Sequence, residues 1–487
     1  MSYNQGNVPG HPYQGAPPGQ QGYAAPPGQP SYPEQQQYGQ PPQPGYGYQP
    51  PPGTQPGYAA PGQPPVAYGQ PYAGPTSSAS PYTSPDRAGS QHSLYSREES
   101  LIHLPLQGPP PTSPYGNAPH GHAGAIPYAG PYLKLGLCTD TAWNASVLVV
   151  SQSATPPSII LEAHAGPATL ESRLIDTFMS HHFYRVDLSL QMLPGQEQKF
   201  KYHVSYNPSI QFTFHVPAAD NPSWKWAFYS CNGFSLNVPD ERRKEMGGVT
   251  PLWRDMMYQH TAVSPFHAMV GGGDQVYADG VFRVLPSILE WMEVKGKEER
   301  KVHPWTARME EETCRFYCEL YLQCFGEEVI RDALASIPYV FAIDDHDLFD
   351  GVGSYPEYLQ QSQVFINVTR IGYRFYLLFQ HHTTPELAQA DGYFSSTGRG
   401  YNFYRKFGYQ NLVLGVDSRA ERNVHQINTP QTWEMMFQGA EQFLRANPGQ
   451  IKNICFIAAV PIAYPRMGFA DDALKKLGSV KLAANKS

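Results

Sequence analysis

The stretch HAMVGGGDQVYADG, His267 to Gly280, is the one on which the fold turns. An apolar run enters three glycines. Asp274 follows directly, Tyr277 comes three residues later, and a second aspartate follows at Asp279. Three readings compete: a phosphate-cradling loop, a plain turn, or the approach to a metal ligand. A P-loop needs a Lys followed by Ser or Thr after the glycines, and a dinucleotide fingerprint needs GxGxxG leading into a helix. Neither spacing is present. Gly271–Gly273 are better read as a tight backbone turn that points Asp274 into a site. A turn with an N-capping Asp is the bland alternative, and the rest of the chain weighs against it.

The pattern recurs outward from this stretch. KWAFYS is an apolar run followed at once by Cys231 and Asn232. PYVFAI leads into Asp344, Asp345 and His346, with Asp350 just beyond, and NLVLGV leads into Asp417 and Arg419. Helical patterns lie between these runs, so the spacing predicts an α/β core with a largely parallel sheet. Ligands bind such sheets beyond the carboxyl ends of the strands. Cys231, Asp274, Tyr277, Asp344, Asp345, His346 and Asp350 are therefore expected to converge. Four or five acids in one pocket repel one another without a cation. Carboxylates suit hard cations, while His, thiolate and phenolate suit iron or zinc. Two metals about 3.5–4 Å apart would clamp a phosphoryl group and activate water for in-line attack. Cys314 and Cys318, four apart on a predicted helix, read as core. His381 and His382 read as partners of a helix C-terminal dipole. Arg419 and Arg422 read either as phosphate ligands or as structural salt bridges, and ERRK (Glu241–Lys244) reads as a solvated helix face.

The flanks differ in composition. Residues 1–129 are built from Pro, Gln, Gly, Tyr, Ser and Ala, and hold well over half of the 49 prolines. Such a segment buries too little apolar surface to offset the entropy of ordering, so the expectation is a disordered tail with polyproline II character. Its proline runs suit partner domains with aromatic grooves, and SLYSREES (Ser93–Ser100) suits phosphorylation by composition alone. Over 130–222, short β-branched and aromatic runs separated by turn residues predict a small antiparallel β-sandwich. A net charge of −7 with no dense Lys/Arg stripe argues against a nucleic-acid surface. No run of about 18 apolar residues predicts a membrane span. Six scattered cysteines and an N-terminus without a signal-like pattern point to a reduced, cytoplasmic setting.

With SCNGF, GGGDQVYADG, DDHDLFDG and GVDSRAERN in this order and spacing, the chain resembles fungal members of the PhoD-like phosphatases, within the broad metallophosphoesterase group. The resemblance runs from about residue 130 to about residue 465. It implies a β-rich N-terminal domain over 130–222 and a metallophosphatase α/β core over 223–465. It implies hydrolysis of phosphate mono- or diesters by metal-activated water, with iron held partly by Cys and Tyr working beside calcium. By position it makes Cys231 a thiolate ligand, Asp274 a bridging carboxylate and Tyr277 a phenolate ligand. Asp344, Asp345 and His346 match the second metal-site motif, and Asp350 lies where bacterial relatives carry a ligand Asn. Asp345, His346 and Arg419 are then expected to act in catalysis. His346 would orient or protonate the leaving group, and Arg419 and Asn232 would contact the substrate. The family continues to a strand ending in Asp-X-His, which has no counterpart after Pro465; residues 466–487 read as atypical and the core as incomplete. That departure keeps a second reading open, a non-catalytic binding or scaffold protein that recruits partners through its proline-rich tail.

Overall fold

The computed structural model describes residues 126–163, 166–234, 238–423 and 425–461. The proline-rich tail through residue 125, the Ser93–Ser100 cluster and the stretch 466–487 lie outside the described residues.

Eight strands occupy the first part of the described chain. β1 (Tyr128–Leu135), β2 (Ala142–Ser151), β5 (Arg173–Phe178) and β6 (His181–Gln191) pair antiparallel in the order β5-β6-β2-β1. β3 (Ser158–Ala163), β4 (Gly166–Glu171), β7 (Gln198–Val204) and β8 (Phe212–Val216) form a separate antiparallel sheet, β4-β3-β7-β8. The antiparallel pairing is as expected, but the first sheet does not end with the β-rich segment. Lys134 of β1 pairs in parallel register with Tyr339 of β11 (Tyr339–Phe341). Through that pair the first sheet continues into β10 (Ala268–Gly271) and β9 (Trp226–Tyr229), giving seven strands in the order β5-β6-β2-β1-β11-β10-β9. A ladder between residues 205 positions apart leaves no periodic trace in either segment, so the sequence could not show it.

The α/β half matches the expected alternation closely. β9, β10 and β11 are parallel neighbours. β12 (Phe403–Lys406), β13 (Asn411–Val416) and β14 (Asn453–Ala458) form a third sheet instead of extending the first, a second departure from the single sheet expected. β13 and β14 are parallel, and β12, which the sequence did not announce, runs antiparallel to β13.

The two faces of the large sheet carry different cores, and strand parity sorts them. Tyr132, Leu148, Met269, Tyr339 and Phe341 face the helices. Leu133, Val147, Val270, Val340 and Ala342 face the cluster shared with the second and third sheets, including Ile159, Phe214, Phe403, Val413 and Ile457. Two long helices cover the first face. Ala307–Gly326 starts at Thr306, whose hydroxyl accepts from Met309 N, and buries Met309, Thr313, Tyr317, Tyr321 and Phe325 on one stripe. Gln363–His381 starts at Ser362, capped the same way by Phe365 N, and buries Val364, Val368, Ile371, Phe375 and Leu378. Cys314 and Cys318 are buried among these residues, as a core reading requires. All six cysteines are free. The helix carrying ERRK, Asp240–Glu245, buries no residue. Among the described residues no helix is long and apolar enough to cross a membrane.

His381 and His382 are not cations on a helix dipole. Both are fully enclosed, and burial pushes both well below the usual histidine range. His382, in a left-handed conformation, joins Ser146 Oγ through Nδ1 at 2.9 Å and Tyr339 OH through Nε2 at 2.6 Å. It thereby bolts the helix end to β2 and β11.

Phe379 is fully buried, stacks on Tyr321 at 4.8 Å between centroids, and meets Phe183 edge-on at 5.6 Å. Phe379→Ala should cost about 3–5 kcal/mol in urea unfolding. The two buried histidines set a pH dependence. Their folded pKa values lie below the unfolded value of about 6.5, so the unfolded chain takes up protons that the folded chain refuses as pH falls. Stability measured by urea unfolding should drop from pH 7 to pH 5.5, and His382→Gln should flatten that drop.

Candidate metal centre

β9, β10 and β11 deliver their following residues to one edge of the sheet. The loop after β9 is laid on the loop after β10: Cys231 N donates to Gly273 O at 3.0 Å and Asn232 N to Asp274 O at 2.9 Å. The loop after β10 joins the loop after β11 where Ala278 N donates to His346 O at 2.8 Å. Such close approach explains the glycines. A Cβ on Gly273, whose φ is +123°, would stand 2.5 Å from the Asp344 Cβ. Cys231 (φ +56°) and Asp274 (φ +57°) hold the left-handed conformation without being glycine, and residues so strained persist where the surroundings over-determine them.

What over-determines Asp274 is Asp347, the last acid of DDHD. Its enclosed carboxylate accepts from the backbone N–H groups of Asp274 (2.9 Å), Gln275 (2.9 Å), Val276 (3.2 Å) and Asp344 (3.0 Å), and from Gln380 Nε2 at 3.0 Å. Burial raises its pKa to about 7, against the pull of these donors. Gln275 completes the clasp, with Nε2 donating to Ala342 O at 2.7 Å and to Gln380 Oε1 at 3.0 Å.

On this frame Asp274, Asp345 and His346 bring one potential ligand atom each to within 4.8 Å of one another. His346 Nδ1 contacts both oxygens of Asp279, at 2.9 and 2.8 Å. That leaves Nε2 for a ligand, the arrangement metal-bound imidazoles commonly show. Gly351 N donates to Asp345 Oδ2 at 2.7 Å. The Tyr277 ring lies 4.6 Å from the His346 ring, and its phenol is a hydrogen-bonding neighbour of the Cys231 thiol. Cys231 Sγ lies 3.5 Å from Asp274 Oδ2.

The electrostatics ask for a cation at this point. Burial, then the charges of Asp344 and Asp345, push Asp274 up to about 6 despite the opposing pull of His346. Burial works against charge on His346, but the Asp279 bond and charge, with Asp274 and Asp345, outweigh it and lift that imidazole to about 9. Burial and the Asp274 charge also raise Cys231 and Tyr277 above their usual ranges. A metal ion among these acids would relieve their repulsion, and the donor set fits such an ion.

The remaining expected residues occupy different places. Asp344 is held by Arg419, whose Nε donates to Oδ1 at 2.7 Å and whose second nitrogen reaches the same oxygen; that nitrogen also lies 3.3 Å from Asp345 Oδ1. Asp350 enters the frame through its main chain: its N–H donates to Asp279 at 2.8 Å and its carbonyl accepts from Tyr355 OH at 2.9 Å. Asn232 accepts from Trp253 Nε1 at 2.8 Å and donates to Gln275 O at 3.3 Å. Asp417 is buried and shapes its own turn, accepting from Tyr373 OH and from the N–H groups of Arg419, Ala420 and Tyr401. Arg422 Nε donates to Ser354 Oγ at 3.0 Å. Sequence reasoning missed Asp279, Gln275 and Asp347. The first two stand inside the opening stretch and the third completes DDHD, so their signal was an acid or amide beside each ligand candidate.

These features define a class. A family model described as PhoD related phosphatase matches residues 190–487, and the chain belongs to that family. A Saccharomyces cerevisiae protein, the uncharacterized protein YGR266W, is 30% identical over 315 residues, 58% of this chain and 44% of that protein. A solved structure titled "Structure of PhoD" aligns over 70% of this chain and 63% of its own, with 13% identity and a TM-score of 0.40. The chain thus spans less than half the length of its yeast relative.

Asp347→Asn tests the frame. One carboxylate oxygen becomes an amide that faces backbone N–H groups, so at least one buried donor loses its acceptor. The variant should lose about 2–4 kcal/mol in urea unfolding.

Proposed function

We propose that this chain is a metal-dependent phosphatase that hydrolyses phosphate mono- or diesters. The observation that carries the proposal is the convergence of Asp274, Asp345 and His346 at the ends of adjacent parallel strands, with Asp279 behind the imidazole. Family membership supports a phosphate ester as substrate.

Asp274, Asp345 and His346 would hold a cation, with Cys231 and Tyr277 beside Asp274 as a thiol and a phenol that suit iron. Calcium is the second ion the family resemblance suggests. A bound cation supplies charge to a phosphoryl oxygen and lowers the pKa of water. The chain's own residues do the positioning. Asp279 fixes the tautomer and orientation of His346. Arg419, held against Asp344 and Asp345, offsets the acid cluster and presents a guanidinium at the edge where a phosphoryl group would sit. Asp344 acts as its anchor in this reading. Trp253 and Gln275 hold Asn232 so that it sets the loop after β9. With Asp279 on Nδ1, the Nε2 of His346 is the atom that would face the cation.

The test uses the full chain stripped with EDTA and reloaded with iron, manganese or calcium. Hydrolysis of p-nitrophenyl phosphate or bis-p-nitrophenyl phosphate should vanish on stripping and return on loading. Asp274→Asn should abolish it, and Asp279→Asn should weaken metal affinity by about 10–100-fold. Protein that binds no metal and cleaves neither ester would instead favour the non-catalytic binding reading.

A further inference from the structure

Away from the metal centre, a cavity of about 290 Å³ opens on the flank formed by β1, β2 and β6. Three cations line it: Lys134, Arg185 and Arg405. Two carboxylates line it as well, Asp187 and Asp391, and Arg185 takes both, at 2.6 and 2.7 Å. Asp391 also accepts from Thr383 Oγ1. The charge of Arg185 is therefore matched.

Lys134 and Arg405 are in a different position. They are only 5% and 3% exposed. Arg405 donates to Leu135 O, Tyr404 O and Tyr393 OH, all neutral acceptors. Lys134 Nζ donates to the same Tyr393 oxygen at 3.2 Å, and no ion pair to either group occurs among the described residues. Tyr393 in turn meets His381 Nδ1 at 2.7 Å, so its hydroxyl accepts from both cations and gives its proton to the imidazole. An ammonium has three donors, and this one spends a single donor on the protein. Burial, then the charges of Arg405 and Arg185, hold Lys134 well below the usual ammonium range.

Lys134 and Arg405 make no ion pair among the described residues, although Asp187 and Asp391 line the same cavity, and a bound anion would supply the countercharge that these buried basic groups lack. From this placement we propose that the cavity is a second ligand site, for a small phosphate-bearing anion, with Lys134 as its principal contact. The volume exceeds that of the oxyanion itself. The amide of Asn144 and the hydroxyl of Ser189 on its walls suit the hydroxyl groups of a phosphate ester. Inorganic phosphate and a sugar phosphate share the recognised group. The site does not depend on the phosphatase reading: no residue that lines it belongs to the metal centre.

The test is calorimetric titration of the full, EDTA-treated chain at constant ionic strength, with inorganic phosphate and with glucose 6-phosphate. Saturable binding should persist in Asp274→Asn, which removes a metal-centre acid, and weaken at least tenfold in Lys134→Met. Absence of binding in Asp274→Asn, or unchanged affinity in Lys134→Met, overturns the proposal. A second measurement on the unmutated chain holds even where Lys134→Met does not fold. Acetylation of Lys134, read by mass spectrometry, should be suppressed by the ligand and not by chloride. Protection by both compounds assigns the site to free phosphate as well as its esters. Protection by glucose 6-phosphate alone assigns it to the esters, and protection by neither overturns it.

Discussion

The candidate site depends on one buried carboxylate. Asp347 reaches across from the loop after β11 and gathers three consecutive N–H groups of the loop after β10, plus the N–H of Asp344 in its own loop. A helix side chain, Gln380, closes the set. A buried charge is tolerable only when its lone pairs are filled, and here the groups that fill them are the ones whose positions define the centre. The left-handed backbone of Asp274 and the absence of a Cβ at Gly273 follow from that requirement. The bonds that satisfy this buried carboxylate are thus the same bonds that place the candidate residues.

Around this clasp the charges follow one logic. Acids that face the site are unbalanced unless something positive stands among them. The chain supplies two partial answers, the imidazole of His346 against Asp279 and the guanidinium of Arg419 against Asp344. Burial first, and then the charges of Asp344 and Asp345, still keep Asp274 hard to ionise. The oxygen and imidazole donors of Asp274, Asp345 and His346 lie close enough together to share one cation, which is the basis of the proposed metal site. On the other flank the sign is reversed. Lys134 and Arg405 make no ion pair there among the described residues, although Asp187 and Asp391 line the same cavity.

The connection between these regions is β1. Its parallel pairing with β11 turns what looks like a separate β module into part of the sheet that carries the site. Alternate residues of the strand then serve two cores, Tyr132 toward the helices and Leu133 toward the second sheet. His382 pins the arrangement by reaching Ser146 and Tyr339 together, with no room for a proton more than it needs. β1 ends in a charged cavity and β11 leads directly into DDHD.

The sequence by itself determined the local alphabet: a strand leading into Cys231 after residue 229, strands leading into acids after residues 271 and 341, the helices between them, and the glycines where two loops must touch. Periodicity and turn chemistry are short-range, and they are enough for that. That Cys231, Asp274, Tyr277, Asp345 and His346 would lie near one another was legible for the same reason, since each sits in the loop that follows a strand of the parallel part. Which acid faces which partner was not legible. Asp344 turns to Arg419, Asp279 turns to His346, and Asp347 turns inward to the backbone, although all three look equally available in the linear text. Those choices, like the β1–β11 ladder and the pairing of Lys134 with Tyr393, join residues far apart in the chain. Only the packed structure sets the distances and the burial on which Coulomb energies and hydrogen bonds depend.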